Sequence, residues 1–123
     1  MSEPSTIQVV RLANVDYVTL NRPEVRNAFN EHLIAEMTAW AGGAARDTSL
    51  LGVVISGAGK SFCAGADLAW MAKMADYTRE ENLRDARAAA AMFAAIDTLP
   101  IPVIAQVHGA ALGGGAGLAA VAD

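Results

Sequence analysis

The sequence predicts an α/β fold in which helices pack against a mostly parallel sheet. Three observations carry this. Two β-branched runs open the chain, largely apolar runs at 50–56 and 102–107 have the composition of buried parallel strands, and helix-period segments stand between and after them. The predicted order is strand, strand, helix, strand, helix, helix, strand, helix, with no internal repeat and no low-complexity linker dividing the 123 residues.

Each element has a local reason. A polar tail spans residues 1–6. IQVVRL at 7–12 and YVTL at 17–20 are strands joined by the turn ANVD, an opening hairpin. NRPEVRNAFN at 21–30 is too punctuated for either period, and Asn30 is placed to accept from the free amides of a helix whose buried face is Leu33, Ile34, Met37, Trp40 and Ala41. Gly42 and Gly43 are expected to stop that helix. LLGVVIS at 50–56 reads as a strand covered above and below, making a crossover unit. After the loop GAGKSFCAGAD come a short helix at 67–75 and a longer one at 79–98, opened by a Thr78–Glu81 capping box, with Leu83, Ala86, Ala90, Phe93 and Ile96 as its buried stripe. LPIP at 99–102 ends it, PVIAQV supplies a second buried strand, and HGAALGGGAG leads into a final helix.

Composition narrows the function classes. With 54% hydrophobic residues the chain is not disordered, and a net charge of −4 without a basic run gives nucleic acid and anionic membranes little to hold. The single cysteine, Cys63, has no internal disulfide partner, and MSEPSTIQ carries no export signal, so a cytoplasmic location is expected. Residues 99–122 lack formal charge and hold glycines in G-x-x-x-G spacing, but Pro100, Pro102, Gln106 and His108 interrupt the run, and a buried strand plus helix explains it better than a membrane span.

Two glycine-rich stretches, GAGKSFCAGAD and HGAALGGGAG, each follow a buried strand and precede a helix. They place free helix amides at one edge of a sheet, where they could clamp an oxyanion, or the glycines could serve only close helix–strand packing. Phosphate-loop spacing fails: for AGKS to close a G-x-x-x-x-G-K-[ST] motif, Val54 would have to be glycine, and no G-x-G-x-x-G occurs around 109–117. Cys63, His32 and His108 are isolated in sequence, so no metal site is predicted. A Cys63–His108 nucleophilic pair lacks an orienting carboxylate nearby.

NRPEVRNAF, SFCAGADL and HGAALGGGAG, in that order and at these separations, resemble the crotonase, or enoyl-CoA hydratase/isomerase, superfamily. The resemblance covers nearly all of the chain after the tail and corresponds to the N-terminal half of a usual member, so residues 7–123 are expected to form the first part of a crotonase-like spiral of ββα units. CAGADLAWM followed by the Ala-rich helix looks most like methylglutaconyl-CoA hydratases, which act on branched acyl groups. Carried over residue by residue, the resemblance implies an oxyanion hole from the backbone amides of Ala66 and Gly114. Preorganised donors of this kind are worth about 2.7–4 kcal/mol each against a developing enolate. It further implies a CoA site along Val25, Arg26 and Ala28 and along Ala64, Asp67 and Leu68, with Arg26 a partner for a CoA phosphate or else a solvated loop charge. Asp67 is a ligand contact or a first-turn carboxylate serving the helix. Trp70, Met71 and Met74 are acyl-pocket wall or core.

The sequence also departs from the family pattern. Gly117 stands where many family hydratases have a glutamate, and the second family glutamate would fall beyond Asp123. The expected function is hydration of a 2-enoyl-CoA, with coenzyme A part of the substrate and no separate cofactor. Double-bond isomerisation, thioester hydrolysis and non-catalytic CoA-ester binding or subunit assembly are the alternatives. By the same resemblance a full-length protein would form trimers or hexamers, and the isolated chain, with an exposed sheet edge, would associate or aggregate.

Overall fold

A computed structural model describes residues 5–123. Four strands, β1 (Ile7–Leu12), β2 (Val15–Leu20), β3 (Gly52–Gly57) and β4 (Val103–Ala105), form one sheet in sequential order. β1 and β2 are antiparallel, whereas β2, β3 and β4 are mutually parallel. Ala13 and Asn14 at the hairpin tip both take positive φ, 51° and 63°, so the turn has the primed geometry whose twist suits two strands. This lengthens β2 by two residues over the predicted YVTL, since Val15 pairs with Leu12 directly across the turn.

Four helices follow the pattern of their caps. α1 (Glu31–Arg46) begins where the Asn30 side chain accepts from the Leu33 amide at 2.9 Å. α2 (Leu68–Met74) is capped by Asp67, and α3 (Arg79–Asp97) by the complete Thr78–Glu81 capping box. α4 spans Gly114–Ala120. Between β2 and α1, Pro23–Val25 makes one 3-10 turn, which Arg26 and Asn27 close in the left-handed region at φ 55° and 58°.

One core joins these elements. Val18, Leu20, Val53 and Ile55 on one sheet face and Leu33, Ile34, Met37 and Ala41 on α1 are all buried in it. The Trp40 indole confirms the facing, because Nε1 donates to Asp16 Oδ2 at 3.0 Å from the buried side of β2. Asp16 also accepts from Arg11 Nε at 2.8 Å, and Arg11 reaches Asp47 beyond the end of α1, so the hairpin is tied to both ends of that contact.

Several expectations need correction. Of the polar tail, Ser5 Oγ and the Thr6 amide bond Glu36 on α1 at 2.6 and 2.8 Å, while residues 1–4 lie outside the described residues. Gly42 and Gly43 do not stop α1, which runs on to Arg46; buried Ala41 and Ala44 hold both sides of the pair in helical register. The buried side of α3 is Met92 and Ile96 flanked by Ala89, Phe93 and Ala95, not Leu83, Ala86 and Ala90, which are exposed. So many alanines leave the helix without a clear stripe in sequence, and its contact with α1 decides the face. Among the described residues, the strands are covered on one side only. Val10, Tyr17, Val54 and Ile104 stand in one register row across the opposite face, and Ile104 is 58% exposed. β4 is three residues, not the six of PVIAQV.

Candidate functional site

Because β3 and β4 are adjacent and parallel, their carboxyl ends release both glycine loops at one edge of the sheet. The loops are laced together. The Phe62 and Cys63 amides both donate to the Ala110 carbonyl, at 3.0 and 3.1 Å, and the Leu112 amide donates back to the Cys63 carbonyl at 3.0 Å. Two glycines permit this approach: a Cβ at Gly109, where φ is 64°, would lie 2.0 Å from the Lys60 oxygen, and one at Gly115 would lie 2.2 Å from the Cys63 oxygen. His108 clasps the pair from outside, its Nε2 donating to the Gly59 carbonyl at 2.7 Å.

The segment 64–67 is held on its other side by 26–29. The Ala64 amide donates to the Arg26 carbonyl at 3.0 Å, the Phe29 amide to the Gly65 carbonyl at 2.7 Å, and the Asp67 amide to the Phe29 carbonyl at 2.7 Å. In extended backbone, successive N–H groups point to opposite sides. With Gly65 O and Asp67 N–H both turned to Phe29, the Ala66 N–H is turned away from it. Gly114 opens α4, where first-turn amides have no partner within the helix. Among the described residues neither the Ala66 nor the Gly114 amide has an acceptor, and the Cβ position of Gly65 lies 3.6 Å from the Gly114 nitrogen. Two unpaired donors therefore stand close together on laced loops.

A groove of about 600 Å³ runs past Ala66. Val25, Arg26, Ala28, Ala64, Asp67 and Leu68 all line it, so every side chain named for CoA contact shares one groove, together with Ala66 itself. Arg26 and Leu68 are exposed there, and Arg26 makes no ion pair among the described residues. Asp67 is different in kind. Its Oδ1 accepts from the Ala69 and Trp70 amides at 2.8 and 3.1 Å and its Oδ2 from Arg22 Nη2 at 2.9 Å, so both oxygens are committed to the fold. Burial pushes this carboxyl up, but the Trp70 amide, Arg22 and the Ala69 amide outweigh it and hold it below the usual carboxylate range.

Two groups missed by sequence reasoning hold the segments behind the groove. Asn27 is fully buried, and every polar atom of its amide is used: Oδ1 accepts from the Arg22 amide at 2.8 Å, and Nδ2 donates to the Ala58 and Ser61 carbonyls, both at 2.9 Å. Arg22 carries the other link, to Asp67. The signal available in sequence was the N-R-P start of the irregular segment, an arginine fixed next to a turn-forming proline.

Gly117 faces α3, where a Cβ would meet the Phe93 ring at 3.2 Å, and Phe93 stands edge-on to Phe29 with centroids 6.1 Å apart. Trp70 is buried and Met74 packs against the core, whereas Met71 is 49% exposed. Cys63 is buried, its Sγ donates to the Asn27 carbonyl at 3.1 Å, and burial pushes its thiol up, so it is not paired with His108 as a nucleophile. Among the described residues, no group of three His, Cys, Asp or Glu side chains converges as metal ligands, and no helix is long and apolar enough to cross a membrane.

The fold and site thus define an α/β protein with two unpaired main-chain donors, one of them on Ala66 in the lining of an open groove. Comparison with known proteins makes this specific. Residues 11–123 match the enoyl-CoA hydratase/isomerase family, and the chain belongs to that family. It is 36% identical to a short-chain-enoyl-CoA hydratase of Clostridium acetobutylicum, over 98% of this chain and 46% of that protein. It is 42% identical to the human mitochondrial Delta(3,5)-Delta(2,4)-dienoyl-CoA isomerase, over 89% of this chain and 36% of that protein. Among solved structures, an enoyl-CoA hydratase of Mycobacterium smegmatis superposes with a TM-score of 0.91 at 38% identity, covering 98% of this chain and 46% of that one. The chain spans less than half the length of each of these relatives.

Proposed function

We propose that this chain supplies the thioester-polarising part of an enzyme that hydrates 2-enoyl-CoA esters. The observation that carries the reading is the pair of unpaired amides at Ala66 and Gly114, held together by laced loops beside a groove with an exposed arginine. In this reading the thioester oxygen accepts from both amides, and the acyl-CoA lies along Val25, Arg26, Ala28, Ala64 and Leu68 with Arg26 near a phosphate. Water adds across the double bond: its oxygen bonds to C3 as it gives up one proton, the π electrons move onto the thioester as an enolate, and the enolate returns to the carbonyl as C2 takes a proton. The two N–H groups stabilise that enolate without reorganising. Coenzyme A arrives with the substrate, so the step needs no further cofactor.

A second reading is supported by the likeness to the dienoyl-CoA isomerase. Migration of a double bond passes through the same enolate, with a proton taken from one carbon and returned to another, and no water consumed. At Gly117 this chain presents hydrogen against the Phe93 ring, so the proton carrier in either reaction is a group other than position 117.

The test uses the protein at its native length, isolated from its source and weighed intact. Straight and branched 2-enoyl-CoA and 3-enoyl-CoA esters are supplied and the products separated. Formation of 3-hydroxyacyl-CoA supports hydration, and bond migration alone supports the second reading. Release of free CoA, or binding without any turnover, overturns both.

A further inference from the structure

We infer that Arg22 is a positioning residue for the oxyanion site, setting the Ala66 amide through Asp67. The inference rests on the proposed reading of Ala66 as a thioester donor.

Ala66 is exposed, and its methyl group offers no hydrogen bond that could fix its peptide. Upstream, the main chain is held at Ala64 and Gly65 by the bonds to Arg26 and Phe29; downstream, it is held by the Asp67 amide and by the Asp67 carboxylate. The carboxylate hold is the one a side chain elsewhere controls. Arg22 leaves the end of β2 with its own amide on Asn27 Oδ1, and its guanidinium divides between two acceptors. Nη1 donates to the Ala28 carbonyl, and Nη2 meets Asp67 Oδ2 at 2.9 Å. One planar group therefore clamps the two segments that meet at the Phe29–Ala66 bridge. Only a fork can do this. A lysine ammonium supplies the charge but not two fixed directions.

Solvent does little to loosen the clamp, since the Arg22 and Asp67 side chains are only 15% and 8% exposed. Arg22 also lines the groove, which makes a phosphate contact the competing role. Its two terminal nitrogens are already committed within the fold, whereas Arg26 on the same groove makes no ion pair among the described residues. Arg22 is thus set to shape the donor, and Arg26 to meet the ligand.

The test compares wild type with Arg22→Met, Arg22→Lys and Asp67→Asn in the protein at native length. Two readouts are taken: kcat and KM for a 2-enoyl-CoA, and the infrared carbonyl stretch of bound butyryl-CoA carrying 13C at the thioester carbon. A displaced donor costs catalysis steeply, on the order of a hundredfold per ångström. Arg22→Met and Asp67→Asn are expected to lower kcat by about tenfold to a hundredfold with KM within about threefold, and to lose most of the downward carbonyl shift. Arg22→Lys, which keeps the charge and folds more readily, is expected to lose at least half of that shift.

A full shift with raised KM in both Arg22 variants would make Arg22 a ligand contact and overturn the inference. A full shift with wild-type kcat and KM would overturn it equally. A wild type that binds butyryl-CoA without any shift would instead refute the oxyanion reading of Ala66, and the inference with it.

Discussion

Replacing Gly115 by alanine tests the lacing of the two loops more sharply than any change in the groove. The backbone at 115 is helical, so alanine introduces no strain of its own there, and in open space it would favour the helix. The cost is purely steric. The new Cβ would lie 2.2 Å from the Cys63 oxygen and 2.9 Å from Cys63 Cβ, where ordinary contact begins near 3.4 Å, so α4 and the 62–65 segment must part by about 1.2 Å. Neither side yields easily, because Cys63 is fully buried and its carbonyl holds the Leu112 amide. Overpacking of this kind costs about 1–3 kcal/mol, and a donor displaced by about 1 Å costs about a hundredfold in rate. Urea unfolding and enoyl-CoA turnover of Gly115→Ala measure the two effects, with Gly43→Ala as the comparison. Nothing lies within 4 Å of a Cβ at Gly43, so that variant should gain about 0.5–1 kcal/mol. Equal midpoints for wild type and Gly115→Ala, with turnover intact, would refute the close approach on which the site depends.

Three further outcomes are expected. Asp16 is held below the usual carboxylate range by its hydrogen bond from Arg11, against the opposing effect of burial and with help from Trp40, and Asp67 is held low as well. Their contribution is therefore complete above the unfolded value of about 3.9 and is lost as pH falls through the lower folded values, so Trp fluorescence should report acid unfolding only below about pH 4; a transition centred above pH 5 would contradict this. Cys63 should resist a thiol reagent at neutral pH and react on unfolding, because burial raises its thiol; prompt labelling of native protein would contradict its placement. Arg26→Met should raise KM for a CoA ester about tenfold, with a flatter salt dependence than wild type, and an unaltered salt profile would remove Arg26 from phosphate contact.

What the sequence disclosed followed the strength of its local chemistry. β1, the Asn30 cap and the Thr78–Glu81 capping box were legible because each is decided by side chains within a few residues. The adjacency of the two loops was legible too, since two parallel strands entering two glycine stretches leave little choice of edge. The end of α1 was not: two glycines weaken a helix, but no residue at 42 or 43 is required to take positive φ, and Asp47 makes the cap. The buried side of α3 was hidden by its alanines, and the exposure of Ile104 by an apolar run that looks the same whether one or two faces are covered. In the site, residue chemistry alone reached the loops, and the resemblance reached Ala66 and Gly114. Arg22 and Asn27 escaped because their roles join segments that are distant in the chain: Asn27 bonds Ala58 and Ser61, and Arg22 bonds Asp67.

The two unpaired donors are peptide groups, and this changes how such a site can be lost. A side-chain acid disappears with one codon, but at positions 66 and 114 only proline removes the N–H itself. Ala66 is exposed and its methyl fills no core space, but it lines the groove, so only small side chains keep that space open. Position 114 is closed to drift for a separate reason, since a Cβ there would lie 2.5 Å from the Phe29 ring. In the proposed reading, the heritable record of the polarising device is therefore written in the glycines, Asn27 and Arg22 that set the path of the main chain. The groups that move protons can be exchanged around that path while the path itself persists.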